Sequence, residues 1–122
     1  MKLQLTSFLL ITLLIILGCQ PKELPSILTI HGDHIVCKVS HMTSKTEMVD
    51  FTRKLAAINV RLDLTGTTYL EDDRLQKLQF VVSLPNGMIG TAAADIVGLQ
   101  YRYYGFEYNP KGSPSFKTGS FE

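Results

Sequence analysis

Residues 44–64, SKTEMVDFTRKLAAINVRLDL, contain the two patterns that decide the fold. Ser44 and Glu47 form a capping box, in which a hydroxyl and a carboxylate satisfy free backbone N–H groups at the start of a helix. Asn59 is a suitable stop, because asparagine tolerates the left-handed conformation found after helix ends. Between them, apolar residues recur at helical spacing and form one stripe of Met48, Phe51, Leu55 and Ile58. The stretch therefore predicts one amphipathic helix followed directly by a strand.

Two strands are predicted after the helix, because residues 60–64 and 77–84 alternate apolar with mostly polar side chains. An antiparallel sheet with one face in the core produces this alternation. The turn between the two strands is predicted at 71–74, EDDR. A second turn is predicted at 85–87, PNG, since Asn-Gly is the strongest short hairpin signal. Residues 88–95, MIGTAAAD, would return as the third strand of a meander.

A β-hairpin is predicted before the helix, in 27–40, ILTIHGDHIVCKVS. Gly32-Asp33 lies between two β-branched runs and has glycine at the first central position of a two-residue turn. The resulting register pairs Ile30 with Ile35 and Leu28 with Cys37 on one face, and His31 with His34 and Thr29 with Val36 on the other. The whole pattern predicts an α+β fold, with one helix packed on a mainly antiparallel sheet.

The C-terminal part is rich in aromatic residues, with five in the eight positions 101–108. Tyrosine combines a flat apolar ring with a hydroxyl group, which suits recognition surfaces. We therefore expect an aromatic binding segment formed by Tyr101, Tyr103, Tyr104, Phe106 and Tyr108. The alternative is that this segment packs on the sheet as an extra C-terminal strand. Residues 27–110 would form the domain, and the Gly-, Ser- and Pro-rich residues 111–122 a flexible tail.

The N-terminal segment has a positive tip at Lys2 and then 16 mostly apolar residues, 3–18. A membrane-spanning helix needs about 20. Ile16-Leu17-Gly18-Cys19 resembles the lipobox of bacterial lipoproteins. The resemblance implies removal of a signal peptide, 1–18, and a diacylglycerol thioether on Cys19 with further acylation such as palmitate. A retained anchor or a plain secretory signal are the alternatives.

The lipobox resemblance also implies a location in the cell envelope, held to a membrane by lipid. Gln20, which stands where aspartate would favour inner-membrane retention, indicates the outer membrane, in its periplasmic or surface leaflet. Residues 19–26 would be a lipidated tether that holds the domain off the bilayer.

A second resemblance covers roughly residues 35–94 and consists of apolar positions and turns. The segments TSKTEMVDFTRKL, INVRLDL, RLQKLQFVV and PNGMIG resemble a small βαββ envelope module. Such modules include the soluble tails of BlaR1-like, M56-type sensor peptidases. The resemblance implies the fold and no catalytic residue.

Charge excludes one class of partner. The chain has 12 Lys and Arg against 11 Asp and Glu, and its formal charge falls from +1 to zero without Lys2. A neutral chain without basic clusters lacks the electrostatic footprint of a nucleic-acid-binding protein. Lipid on Cys19 would leave Cys37 as a lone cysteine, which is most often a small buried apolar residue.

The candidate ligating residues are His31, His34, Cys37 and His41. A closed zinc site needs four converging ligands, and the hairpin register separates His31 and His34 from the other two. We therefore expect no metal site, with His31 and His34 as the only candidates, and no cofactor beyond the covalent lipid. The sequence contains no nucleophile elbow, phosphate-binding loop or other catalytic motif.

These observations predict a lipid-anchored envelope protein without catalytic activity that recognises another envelope protein, through its aromatic segment or a sheet edge. One alternative is an envelope sensor that binds a small ligand or a metal through His31 and His34. Another is a small hydrolase whose site has no local motif.

Overall fold

The computed structural model describes residues 23–99 and 102–121. The predicted signal segment, Cys19 and Tyr101 lie outside these ranges. The described residues form one helix and eight strands in two antiparallel sheets, which confirms the predicted α+β class. The elements are β1 Ile27–His31, β2 His34–Val39, α1 Lys45–Ala56, β3 Arg61–Asp63, β4 Thr68–Tyr69, β5 Leu75–Ser83, β6 Ile89–Asp95, β7 Tyr103–Tyr108 and β8 Phe116–Phe121.

The two sheets differ in how their strands are connected. Sheet 1 has the order β1-β2-β7-β8, so the N-terminal hairpin pairs with the C-terminal strands. Sheet 2 is built around β5. Strand β6 pairs along one edge of β5, while β3 and β4 pair with opposite halves of its other edge. The hairpin and the meander were expected in one sheet, and the structure places them in two.

The predicted hairpin is confirmed residue by residue. All four expected pairs occur, from Leu28 with Cys37 to His31 with His34. Gly32 has a φ of 58°, which the first central position of this turn requires and a glycine adopts without steric cost.

The predicted helix is also confirmed. The Ser44 side chain accepts a hydrogen bond from Glu47 N (3.2 Å) and its hydroxyl donates to Glu47 Oε1 (3.3 Å). Met48, Phe51 and Leu55 are buried in the core. Asn59 has a φ of 63° just after the helix, as its role as a stop requires.

Two expectations about the rest of the chain are wrong in part. The EDDR turn joins β4 to β5, because the short strand β4 intervenes after β3. Residues 111–122 were expected to be a flexible tail, but Phe116–Phe121 form β8 and pair with β7 along its whole length. The side chains of Lys38 and Lys117 cover the Phe121 ring, with Nζ-to-centroid distances of 4.8 and 4.6 Å. The local composition of residues 111–122 could not predict these contacts, because they form with β7 and with Lys38, far away in the sequence.

One core joins the inner faces of both sheets and the apolar stripe of α1. Phe80 of sheet 2 and Phe106 of sheet 1 meet there with ring centroids 6.3 Å apart. Gly105 is required beside them, because a Cβ at this position would overlap the backbone oxygen of Cys37.

Antiparallel pairing gives the domain two ends. The proximal end is where the described chain begins, and it includes 23–26, 40–44, 70–75 and 95–99. The backbone bond from Leu75 N to Thr43 O (2.8 Å) joins the second of these segments to the third. The distal end contains the β1–β2 turn, the segment after α1, the β5–β6 turn and the end of β7, which together line one cavity.

Candidate functional site

The predicted aromatic binding segment is mostly core. Phe106 is 1% exposed and Tyr104 is 7% exposed. These two side chains of β7 therefore pack in the core and are not available to a partner. The structure agrees with the alternative interpretation, because Tyr103–Tyr108 form an additional strand of the sheet. Tyr103 and Tyr108 are half-buried and lie at opposite ends of the strand.

Tyr103 belongs to the proximal end, where it holds the N-terminal segment. Its hydroxyl donates a hydrogen bond to the carbonyl oxygen of Pro25 (2.7 Å). Partial burial raises the pKa of its phenol above the ordinary value of 10.0. Tyr103 therefore has a structural role, because it attaches the N-terminal segment to β7.

Tyr108 lines the distal cavity, which has a volume of about 290 Å³. Its hydroxyl accepts a hydrogen bond from Asn86 Nδ2 (3.1 Å), and Asn86 Oδ1 accepts one from Met88 N (3.0 Å). The cavity walls are mainly apolar, and among the described residues that line it Asp33 is the charged one. Apolar walls with a few convergent polar groups are typical of small-ligand sites.

The two candidate metal ligands are neighbours across the hairpin turn but have different environments. His31 is exposed, while His34 Nε2 lies 2.8 Å from Glu107 Oε2. Among residues 23–99 and 102–121, no group of three His, Cys, Asp or Glu side chains is arranged to hold a metal ion. Cys37 faces the core, and burial raises the pKa of its thiol from 9.0 to about 12.

A groove between α1 and β3, which the sequence analysis missed, is the larger concave surface. One part has a volume of about 550 Å³ and an adjoining part about 410 Å³; the parts share Thr52, Ala56, Arg61 and Leu62. Val49 lines the groove and is 56% exposed. The sequence signal for the groove was Val49 itself, a large apolar residue of the helix that lies outside the core stripe.

One wall of the α1–β3 groove is the edge of a sheet. Strand β3 pairs with β5 and is the end strand of sheet 2. In an antiparallel strand, alternate residues direct their N–H and C=O groups to the unpaired side, where another extended chain could pair with them. The groove therefore combines a backbone edge with an apolar helix wall.

The charged residues of the groove are Arg53, Arg61 and Asp63. The Asp63 carboxylate accepts hydrogen bonds from the Thr65 hydroxyl (2.6 Å) and the Thr65 backbone N–H (3.0 Å). Both bonds lower the pKa of the Asp63 carboxyl, and the bond from the Thr65 hydroxyl has the larger effect. Arg53 also forms an ion pair with Asp50 (2.9 Å), so among the described lining residues Arg61 is the cation without a salt bridge.

No helix in the described part of the chain is both long enough and apolar enough to cross a bilayer. No protein-family model matches the chain, and no curated protein or solved structure is significantly similar to it.

Proposed function

We propose that this is a lipid-anchored cell-envelope protein, favoured at the outer membrane, that recognises another envelope protein and has no catalytic role. The partner contributes an extended segment that adds to the edge of β3 in the α1–β3 groove. The observation that carries this proposal is the open edge strand beside the exposed apolar side of α1.

Strand addition uses the features of this groove directly. Main-chain hydrogen bonds to the edge supply affinity, and alternate side chains of the added strand supply specificity. Residues 61–64 would pair with about four residues, a length of about 13 Å at roughly 3.3 Å per residue. Side chains directed towards α1 would contact Val49 and Ala56. The Arg61 side chain in the lining favours a segment that carries an acidic residue.

The first experiment maps the partner onto the surface. A photo-crosslinking residue at Thr52, in the groove, is compared with one at Val81, on the outer face of β5 and 38% exposed. We expect the Thr52 position to crosslink one envelope protein, and mass spectrometry to locate the crosslink in a short extended segment. Equal crosslinking from Val81 would contradict the proposed surface.

The second experiment measures binding of a synthetic peptide with the crosslinked segment. We expect Val49→Asp to weaken binding at least tenfold, while the matched control Val81→Asp leaves it unchanged. The peptide should also slow hydrogen exchange at the amides of 61–64. Unchanged affinity in Val49→Asp would refute strand addition in the groove.

Lipid attachment has its own test. Cys19→Ser should leave the signal segment uncut by the lipoprotein peptidase and the protein without lipid. Incorporation of a fatty-acid analogue that persists in this variant would contradict lipidation at Cys19.

A second candidate function is small-ligand sensing at the distal cavity, favoured by the Asp33 carboxylate and the Asn86–Tyr108 pair at an apolar pocket. Such a site fits a compact apolar amine. Titration with arylalkylamines, which carry a positive charge at neutral pH, should move the amide NMR signals of 32–35, Leu84 and Asn86, and Asp33→Asn should abolish the shifts. Shifts spread evenly over the domain would count against this candidate.

A further inference from the structure

Half of the exposed large apolar side chains in the described residues lie at the proximal end. In the described residues, eight large apolar side chains are exposed, and four of them belong to this end: Met42, Leu70, Val97 and Leu99. Leu99 is the most exposed of the four, at 52%. Clustered exposed apolar residues mark interaction or membrane-contact surfaces, whereas single ones need no explanation.

Backbone hydrogen bonds bring the segments that carry these four residues together at one end of the domain. Thr43 O accepts from Leu75 N (2.8 Å), and the next residue, Gln76, accepts from Val97 N (3.3 Å). The segments of Met42 and Val97 therefore flank the start of β5 on opposite sides.

The other two residues of the patch are tied to the same region. Leu70 N donates to Arg74 O (2.8 Å), directly before β5 begins. Leu99 N donates to Asp95 O (3.0 Å) at the end of β6. We call Met42, Leu70, Val97 and Leu99 the proximal patch.

The N-terminal segment is fastened at this same end, which corrects the expectation that all of 19–26 is a free tether. Leu24 is 5% exposed, and its N–H donates to Met42 Sδ (3.1 Å). The Ser40 hydroxyl donates to Leu24 O, and the Ser26 and Thr43 hydroxyls are hydrogen-bonded (2.8 Å). Residues 24–26 are thus part of the domain.

Little chain remains between the domain and the predicted lipid. Cys19 and Glu23 are four residues apart in sequence, so their Cα atoms are separated by at most about 14 Å. The headgroup layer on each side of a bilayer is about 5–8 Å thick. A lipid on Cys19 therefore brings the proximal end to the bilayer surface.

We propose that the proximal patch rests on the bilayer that holds the Cys19 lipid, so that the α1–β3 groove and the distal cavity project away from it. This inference depends on the proposed lipid attachment. The occupant is the bilayer itself, because the chain that leaves the domain beside Met42 ends in lipid within that short reach.

Charge specifies the kind of bilayer. The turn before β5 contributes three carboxylates, Glu71, Asp72 and Asp73, against the cation Arg74 and the adjacent Lys45, whose N–H donates to Asp73 O (2.8 Å). Anionic headgroups attract basic surfaces, so this end fits a zwitterionic surface, which it contacts through apolar side chains.

The test uses the lipidated protein in phosphatidylcholine vesicles, with an environment-sensitive fluorophore on a cysteine at Val97 or at Ile89. These positions follow and begin β6, so they lie at opposite ends of one strand, and both are exposed. Cys37→Ala in both variants removes the remaining thiol. We expect brominated lipids to quench the fluorophore at Val97 at least fivefold more than at Ile89.

Mass spectrometry of the same samples separates the two levels of the proposal. Lipid present on Cys19 with equal quenching at both positions overturns the orientation and leaves the anchor intact. No lipid on Cys19 overturns the anchor and the orientation together. Quenching at Val97 that increases with added phosphatidylglycerol overturns the assignment to a zwitterionic surface.

Discussion

The proximal and distal ends of this domain are closed by different kinds of contact. At the proximal end, Ser40 and Thr43 are fully buried and bond to each other and to residues 24–26. At the distal end, Asn86 is exposed and bonds to Tyr108 beside an open cavity. Buried polar groups must be paired, while exposed ones exchange partners with water at little cost. The proximal end is therefore built to hold one structure, and the distal end leaves polar groups available for binding.

The largest expected effect is at Gly105, in the strand that connects the two ends. Gly105→Ala places a Cβ against the backbone oxygen of Cys37, and the backbone cannot yield as a side chain could. We expect a loss of at least about 3 kcal/mol in the free energy of unfolding, measured by urea denaturation.

Gly119 provides the matched control, because it pairs with Gly105 across β7 and β8 and a Cβ there meets no atom within 4 Å. Gly119→Ala should cost only about 1–2 kcal/mol, from its φ of 115°. Equal costs for the two variants would show that the packing at Gly105 is not the constraint.

A smaller effect is expected from Thr43→Val, which tests the proximal end. Valine keeps the volume but cannot accept the hydrogen bond from Ser40 N (2.9 Å), which leaves a buried N–H unpaired. We expect a loss of about 1–3 kcal/mol in the free energy of unfolding and faster proteolysis at residues 23–26.

Asn86→Ala is the counterpart at the distal end. Water replaces its exposed hydrogen bonds, so the loss should be about 0.5 kcal/mol or less. If Asn86→Ala destabilises the domain as much as Thr43→Val, the contrast between the ends is wrong.

The smallest effect at moderate pH concerns Cys37, which lies between the ends. Burial raises the pKa of its thiol from 9.0 to about 12. Between these values the unfolded chain has lost this proton and the folded chain retains it. The contribution of this thiol to the free energy of unfolding is therefore fully present below pH 9. It falls as pH rises towards 12, by up to about 1.4 kcal/mol per pH unit.

Urea denaturation at pH 8 and pH 10, with Cys37→Ala as the control, measures this contribution. The difference between the two pH values should be smaller in Cys37→Ala, because the thiol contribution is absent. The half-buried tyrosines Tyr69 and Tyr103, whose pKa values burial also raises, contribute to what remains. An identical pH dependence in both proteins would contradict the account of the thiol.

The candidate site was less predictable than the elements that form it. The aromatic segment was recognised, but periodicity alone could not show that Phe106 and Tyr104 face the core. The α1–β3 groove needs β3 to be an edge strand, and this depends on β5 pairing with β6 on its far side. The residues of β3 alone therefore do not show that it is an edge strand.

The hairpin register, the capped helix, its left-handed stop at Asn59 and the strands β3 and β5 could all be predicted from the amino-acid sequence. Each depends on contacts between residues close in the chain, so local composition and spacing record them. The folded structure was needed to show that the hairpin joins β7, through pairs such as Ile35 with Tyr108. It was also needed to show that the polar C-terminal residues form β8 and that residues 24–26 pack on the domain. Those choices depend on backbone hydrogen bonds and burial between distant segments, for which almost any side chain is compatible with pairing.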